Sequence, residues 1–68
     1  MPADSQLKPK ELEALVLASK GYRAEDAGKA MGVTGHYVGI LWYRAAAKLG
    51  ADNKTQAVAM AIRRKIIE

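Results

Sequence analysis

Apolar residues recur every three or four positions along most of the chain, which is the spacing of one face of an α-helix. In the first such segment Leu12 and Val16 share a face. Pro9 suits a first helical position, where its missing N–H leaves no bond unmade, and Gly21 stands where the pattern stops. The pattern predicts a first helix over residues 9–20.

A shorter amphipathic segment follows and is predicted to form a second helix over residues 24–31. Ala27, Ala30 and Met31 are expected to face inward, and Gly32 lies where a helix end favours glycine. Gly28 lies in the middle of this helix, where glycine costs about 1 kcal/mol relative to alanine.

Two further helices have capping residues at their starts. The side chains of Thr34 and Asn53 can accept hydrogen bonds from unpaired backbone N–H groups, which predicts a third helix over residues 34–49 and a fourth over residues 54–64. Gly50 separates these two helices. The positions expected to close the core at the end of the chain are Ala57, Val58, Ala61, Ile62, Ile66 and Ile67.

The third helix is predicted to have two different long faces. One is an apolar stripe that should be buried, formed by Val38, Leu41, Ala45 and Leu49. The other should face solvent, and it is formed by His36, Gly39, Ile40, Tyr43 and Ala47.

The composition agrees with an all-α domain. Phenylalanine is absent and β-branched residues are scattered, so little in the chain favours strands. A chain of 68 residues has enough material for one small core. We therefore expect one compact four-helix domain over residues 7–68, preceded by a flexible tail over residues 1–6.

Several functional classes are disfavoured by what the chain lacks. Without cysteine, and with His36 as its single histidine, it can form neither disulfides nor the usual zinc sites. His36 has no nucleophile or positioned carboxylate nearby in sequence, and no glycine-rich phosphate loop is present, so we expect no enzyme activity, cofactor, metal or small-molecule ligand. No apolar run is long enough to span a membrane and no signal peptide is apparent, so a cytoplasmic location without membrane binding is expected.

The charge is unevenly distributed along the chain. The net charge is +4, and beyond residue 27 only Asp52 and Glu68 are acidic, whereas most of the Lys and Arg residues lie there. A basic half favours a polyanionic partner such as nucleic acid. A surface whose charge only keeps the protein in solution is the alternative explanation.

The connection between the second and third helices is the tripeptide GVT at residues 32–34. A turn of three or four residues containing glycine between two helices is the helix-turn-helix arrangement. Small helical bundles contain the same corner, so the turn by itself is compatible with a DNA-binding element and with a plain structural corner.

A longer pattern favours DNA binding. From Leu7 to Ile67 the sequence resembles the LuxR-type (GerE-like) helix-turn-helix domain. The matching positions are Leu7, Pro9 and Glu11 at the start of the first helix, Gly21 at its end, Gly32 and Val33 in the turn, Val38 in the third helix and KLG at 48–50. The segment NKTQAVAMAIRRKII at 53–67 is especially similar to quorum-sensing members of the family.

The resemblance implies a bacterial transcription regulator that docks its third helix in the major groove of double-stranded DNA. It also implies a homodimer through the fourth helix, with Ala59, Met60 and Arg63 as candidate interface residues. No sensing domain is expected in this chain, which is interpreted as a free-standing regulator or as the C-terminal domain of a longer one.

The third helix departs from the family where bases are read. DNA-reading members commonly have Lys or Arg at the positions of Gly39 and Tyr43, and often His or a basic residue at that of Leu41. Guanine is usually read by Arg or Lys and adenine by Asn or Gln, and the outward face has none of these. His36, Ile40 and Tyr43 are therefore the candidates for limited base reading, with Gly39 beside them.

The chain has more candidate residues for phosphate contacts than for base contacts. The candidates are basic residues near helix ends or beside the third helix, and the hydroxyl residues at the starts of the third and fourth helices. They are Lys20, Arg23, Lys29, Thr34, Arg44, Lys48, Lys54 and Thr55.

Leu12, Val16 and Trp42 are apolar at positions where the family usually has polar residues. Together with Ile40 and Tyr43 they support an alternative function, in which the helix-turn-helix fold binds a protein and acts as an inhibitor or adaptor of another transcription factor. For Trp42 three interpretations are open: extra core, an exposed anchor for a protein partner, or stacking on nucleic acid.

Overall fold

The computed structural model describes residues 7–68, in which the chain forms four α-helices and no strand. The helices are α1 (Pro9–Ser19), α2 (Ala24–Met31), α3 (Gly35–Leu49) and α4 (Lys54–Arg63). The predicted all-α, four-helix fold is confirmed, and each helix end lies within one residue of its predicted position. The tail predicted for residues 1–6 lies outside the described residues. In the described part of the chain, no helix is both long and apolar enough to cross a bilayer.

Local capping chemistry sets the limits of α3 and α4. The Thr34 hydroxyl accepts the backbone N–H of Tyr37 at 3.1 Å, and the Asn53 side chain accepts that of Gln56 at 2.8 Å. At the other end of α3, Gly50 has a φ of 75°, in the left-handed region where a side chain would be strained. These contacts are between residues a few positions apart, so the sequence alone was enough to predict them.

The core consists of two clusters, and α3 contributes to both. The first lies between α1, the end of α3 and α4, and the second between α1, α2 and the first half of α3. The predicted apolar stripe of α3 is confirmed as buried, with exposed fractions between 0% and 3%: Val38, Leu41, Ala45 and Leu49. With one face held by both clusters, α3 can present only its opposite face to a ligand.

Two predictions for inward-facing residues were wrong. Ala30 is exposed on α2, and Ile62 is 45% exposed on α4. Ala61 already faces the core, and the next residue of an α-helix is rotated by about 100°, which turns Ile62 outward. After α4 the chain bends at Lys65, which has a φ of 60°, and this bend returns Ile67 to the core as predicted.

Two glycines allow a close approach of α2 to the start of α3. A Cβ added to Gly28 would lie 2.7 Å from the backbone oxygen of Val33, and a Cβ on Gly35 would lie 3.2 Å from the Cα of Glu25. The Val33 N–H also donates to the Gly28 carbonyl at 2.8 Å. Gly28 therefore costs helix propensity but permits the tight crossing of the helix-turn-helix.

Trp42 belongs to the core, so its prediction as a protein-interface residue was wrong. The side chain is 7% exposed, and its Nε1–H donates to the Ala14 carbonyl at 2.7 Å. This bond joins α3 to α1 and satisfies the polar atom that burial of an indole would otherwise leave without a partner. The core interpretation of Trp42 is confirmed.

Candidate nucleic-acid interface

The solvent side of α3 is a ridge formed by His36, Ile40, Tyr43 and Ala47, which we call the α3 ridge. His36 and Ala47 are exposed, Ile40 is half-buried, and Tyr43 is 77% exposed. The predicted orientation of this face is therefore confirmed, while the base-reading roles of His36, Ile40 and Tyr43 stay predictions. A large aromatic side chain held this far into solvent adds little to folding and is available for contact with a ligand.

Gly39, which borders the ridge, has open space around it. A Cβ added there would meet nothing within 4 Å. Packing therefore does not explain this glycine, in contrast to Gly28. Its effect is to leave a bare stretch of helix backbone beside Tyr43, where a longer side chain would fit.

A groove of about 410 Å³ lies on one side of the ridge, between α3 and the start of α4. It is lined by Gly39, Tyr43, Asn53 and Lys54, among others, and we call it the α4-side groove. The Lys54 ammonium lies 4.3 Å from the centre of the Trp42 ring. This cation–π contact holds the exposed Lys54 at the edge of the groove, and Thr55 follows it, exposed, in the first turn of α4.

A second groove, of about 600 Å³, lies between the start of α1 and α3. We call it the α1-side groove, and its basic lining residues are Lys8, Lys10, Arg44 and Lys48. Tyr37 and Leu41 complete its α3 wall. Sequence reasoning included Arg44 and Lys48 among the phosphate candidates but missed Lys8 and Lys10, because their approach to α3 depends on how α1 packs.

Lys48 was predicted to contact phosphate, but the structure gives it a different partner. Its ammonium donates to both carboxylate oxygens of Glu11, at 2.8 and 3.1 Å, and Glu11 is 2% exposed. Removing this ammonium would leave a buried carboxylate without its neutralising charge. Lys48 therefore neutralises Glu11, and its phosphate contact stays a prediction.

The pKa of Glu11 is shifted by opposing effects. Burial raises it, and hydrogen bonds from the Lys48 ammonium and the Lys8 backbone N–H lower it, assisted by the charges of Lys48 and Arg44. The lowering effects prevail, so the pKa of Glu11 lies below the ordinary value for glutamate. The carboxylate thus stays ionised and holds the wall of the α1-side groove in place.

The remaining phosphate candidates are exposed but do not all lie beside α3. Arg44 lines the α1-side groove and Lys54 lines the α4-side groove. Thr55 follows Lys54 in the sequence and is exposed. Lys20 instead lines a groove formed by α1 and the C-terminal residues, to which α3 contributes nothing. Arg23, Lys29 and Thr34 are exposed on and around α2 and at the start of α3.

The predicted protein-interface residues divide into two groups. Leu12 and Val16 are half-buried: they pack against the core and also line the groove that Lys20 borders, so their interface role stays a prediction. On α4, Ala59 and Arg63 are exposed and Met60 is half-buried, which leaves their predicted role in a homodimer open. Ile62, which was predicted to be core, lies exposed beside Arg63.

Comparison with known proteins gives one informative relative. The chain is 43% identical over 63 residues to the transcriptional activator protein BjaR1 of Bradyrhizobium diazoefficiens. The match covers 93% of this chain and 26% of the activator, so the chain spans about a quarter of the length of that relative. No family model and no solved structure matches the chain.

Proposed function

We propose that this chain is the DNA-binding part of a LuxR-type transcription regulator and that α3 docks in the major groove of double-stranded DNA. The observation that carries the proposal is the α3 ridge, an exposed face on a helix whose opposite face is fixed in the core. The similarity to a transcriptional activator supports the same conclusion. The proposed role is binding alone, without catalysis.

The chemistry of the ridge defines the kind of recognition we propose. Ile40 can touch a thymine methyl group, and His36 and the Tyr43 hydroxyl can form hydrogen bonds with base edges. None of these makes the two-pronged contact by which Arg reads guanine. Affinity should therefore come mainly from phosphate contacts, and sequence preference should be modest.

Duplex binding can be tested by fluorescence anisotropy at several salt concentrations, combined with NMR chemical-shift mapping. We expect the affinity to fall steeply as salt rises, because phosphate contacts release counterions. The largest shift changes should occur at His36, Ile40 and Tyr43. A control variant, Tyr22→Ala, removes another exposed aromatic and should leave binding unchanged. Absence of duplex binding at low salt would refute the proposal.

A protein-binding module is the alternative function, and fewer exposed apolar residues support it. Its main anchor, Trp42, is buried, and Leu12 and Val16 pack against the core. The exposed Tyr43 and the half-buried Ile40 on the α3 ridge support it. If DNA leaves the spectrum unchanged at low salt, the alternative becomes the preferred function.

We also propose that the chain forms a homodimer through α4. The exposed positions Ala59, Ile62 and Arg63 support this, because Ile62 is apolar and has no place in the core. Sedimentation of the wild type and of Ile62→Glu tests it. The substitution should shift a dimer to monomer, and a wild type that sediments as a monomer at high concentration would contradict the proposal.

A further inference from the structure

The α1-side groove and the α4-side groove lie on opposite flanks of the α3 ridge. Successive residues of an α-helix are rotated by about 100°. With this rotation, Tyr37 and Arg44 lie on one flank of the ridge and Gly39 lies on the other flank. Ile40 and Ala47 lie between the two flanks. The lining residues agree, since α1 borders the first flank and the start of α4 borders the second.

Each flank has positive charge directed to solvent. On the α4 side Lys54 is exposed, and on the α1 side Lys8, Lys10 and Arg44 are exposed. Within residues 7–68, Lys48 and Glu11 form the one salt bridge. In the described part of the chain, none of Lys8, Lys10 and Arg44 forms a salt bridge, and the one carboxylate that lines their groove, Glu11, is paired with Lys48.

We propose that the α1-side groove binds the phosphates of one DNA strand while Lys54 and the start of α4 bind those of the other. The inference rests on the function proposed above. An α-helix with its side chains is about 10–12 Å across, and the major groove is about 12 Å wide, so a docked helix has one phosphate backbone along each flank. Lys8, Lys10 and Arg44 supply the contacts on one side, and the Tyr37 hydroxyl can add a hydrogen bond.

The Glu11–Lys48 pair has a positioning role in this arrangement. Glu11 belongs to the first turn of α1 and accepts the Lys8 backbone N–H at 2.9 Å, while Lys48 belongs to α3. The pair therefore fixes the start of α1 against α3. That contact holds Lys8 and Lys10 beside Arg44, although they are far apart in sequence.

The test compares three charge-removing variants in duplex-binding titrations against salt. Lys10→Gln combined with Arg44→Gln alters the α1 flank, and Lys54→Gln alters the α4 flank. Arg64→Gln combined with Lys65→Gln is the matched control, because it removes the same charge from exposed residues after α4. Each phosphate contact contributes about 0.9 to the slope of log K against log[salt]. We expect the α1-flank variant to lose about 1.8 for each bound protomer and the control to lose nothing.

Phosphate ethylation interference on a duplex selected from a random library identifies the strand that each flank contacts. With the wild type we expect interference on both strands across one major groove. Within each half-site, the α1-flank variant should lose it on one strand and Lys54→Gln on the other. Circular dichroism establishes that each variant is folded.

The outcomes separate this inference from the proposed function. A wild type that binds duplex with salt dependence, together with an α1-flank variant whose slope equals that of the control, would overturn the inference and leave the function intact. Interference confined to one strand within each half-site would also overturn the inference and leave the function intact. A wild type that binds no duplex would overturn both.

Discussion

The Lys48 ammonium lies 2.8 Å from a carboxylate oxygen of Glu11, a residue 37 positions earlier in the chain. Glu11 is almost completely buried and the Lys48 side chain is 27% exposed, so the ion pair lies at the edge of the core. It joins the first turn of α1 to the last turn of α3. No other salt bridge occurs within residues 7–68.

Removing the Lys48 ammonium should destabilise the fold. Lys48→Met keeps the aliphatic stem but leaves Glu11 buried and unneutralised, and we expect a loss of about 3 kcal/mol in the free energy of unfolding. Urea unfolding at neutral pH, followed by circular dichroism, measures this. Lys29→Met, at an exposed site, should change stability by less than about 0.5 kcal/mol.

Acid should destabilise the protein partly through Glu11. Because its pKa is lower in the folded state, the ionised carboxylate contributes stability that is fully present above the unfolded value of about 4.5 and is lost as the pH falls through the lowered folded pKa. In Glu11→Gln the free energy of unfolding should therefore vary less with pH below about 5. Glu13→Gln, at an exposed site on α1, is the control. An equally steep decline in Glu11→Gln and the wild type would contradict this account.

Two mid-helix glycines should respond in opposite ways to alanine. Gly28→Ala places a Cβ 2.7 Å from the Val33 carbonyl oxygen, and we expect it to cost about 1–3 kcal/mol. Gly39→Ala meets no atom and should stabilise by up to about 1 kcal/mol through helix propensity. Thermal unfolding of both variants provides the comparison. Equal effects would mean that the α2–α3 crossing is not tightly packed.

A basic side chain at Gly39 should strengthen DNA binding. Gly39→Arg fits into open space beside Tyr43 and adds a group that can read guanine, worth about 1–3 kcal/mol at a suitable base pair. Anisotropy titration against a guanine-containing library measures the gain. Glu68→Gln raises the net charge by one at an exposed site and should change the affinity less. An unchanged affinity in Gly39→Arg would place α3 away from the DNA.

Features set by short-range chemistry could be predicted from the sequence. The caps at Thr34 and Asn53 and the glycine after α3 act within one helical turn, so the helix limits were correct to within one residue. The two faces of α3 follow from the helical period and were also correct. What these residues bind is a different question, because exposure does not specify a ligand.

Features that depend on packing between distant segments could not be predicted. The partner of Lys48 lies on another helix, and so does the Ala14 carbonyl that accepts the Trp42 hydrogen bond. Ile62 was wrongly predicted to be core, because the pattern did not show that Ala61 takes the inward position beside it. The bend at Lys65, which brings Ile67 inward, does not appear in the hydrophobic pattern either. Gly28 was recognised only as a cost, since its neighbour Val33 approaches through the turn.

Trp42 is the single tryptophan of the chain, and the ammonium of Lys54 lies against its ring. A ligand that draws this ammonium toward itself would change the electric field at the indole, to which tryptophan emission is sensitive. The protein thus contains its own optical reporter, located at the border of the α4-side groove. Its fluorescence can follow occupancy of that flank without any attached dye.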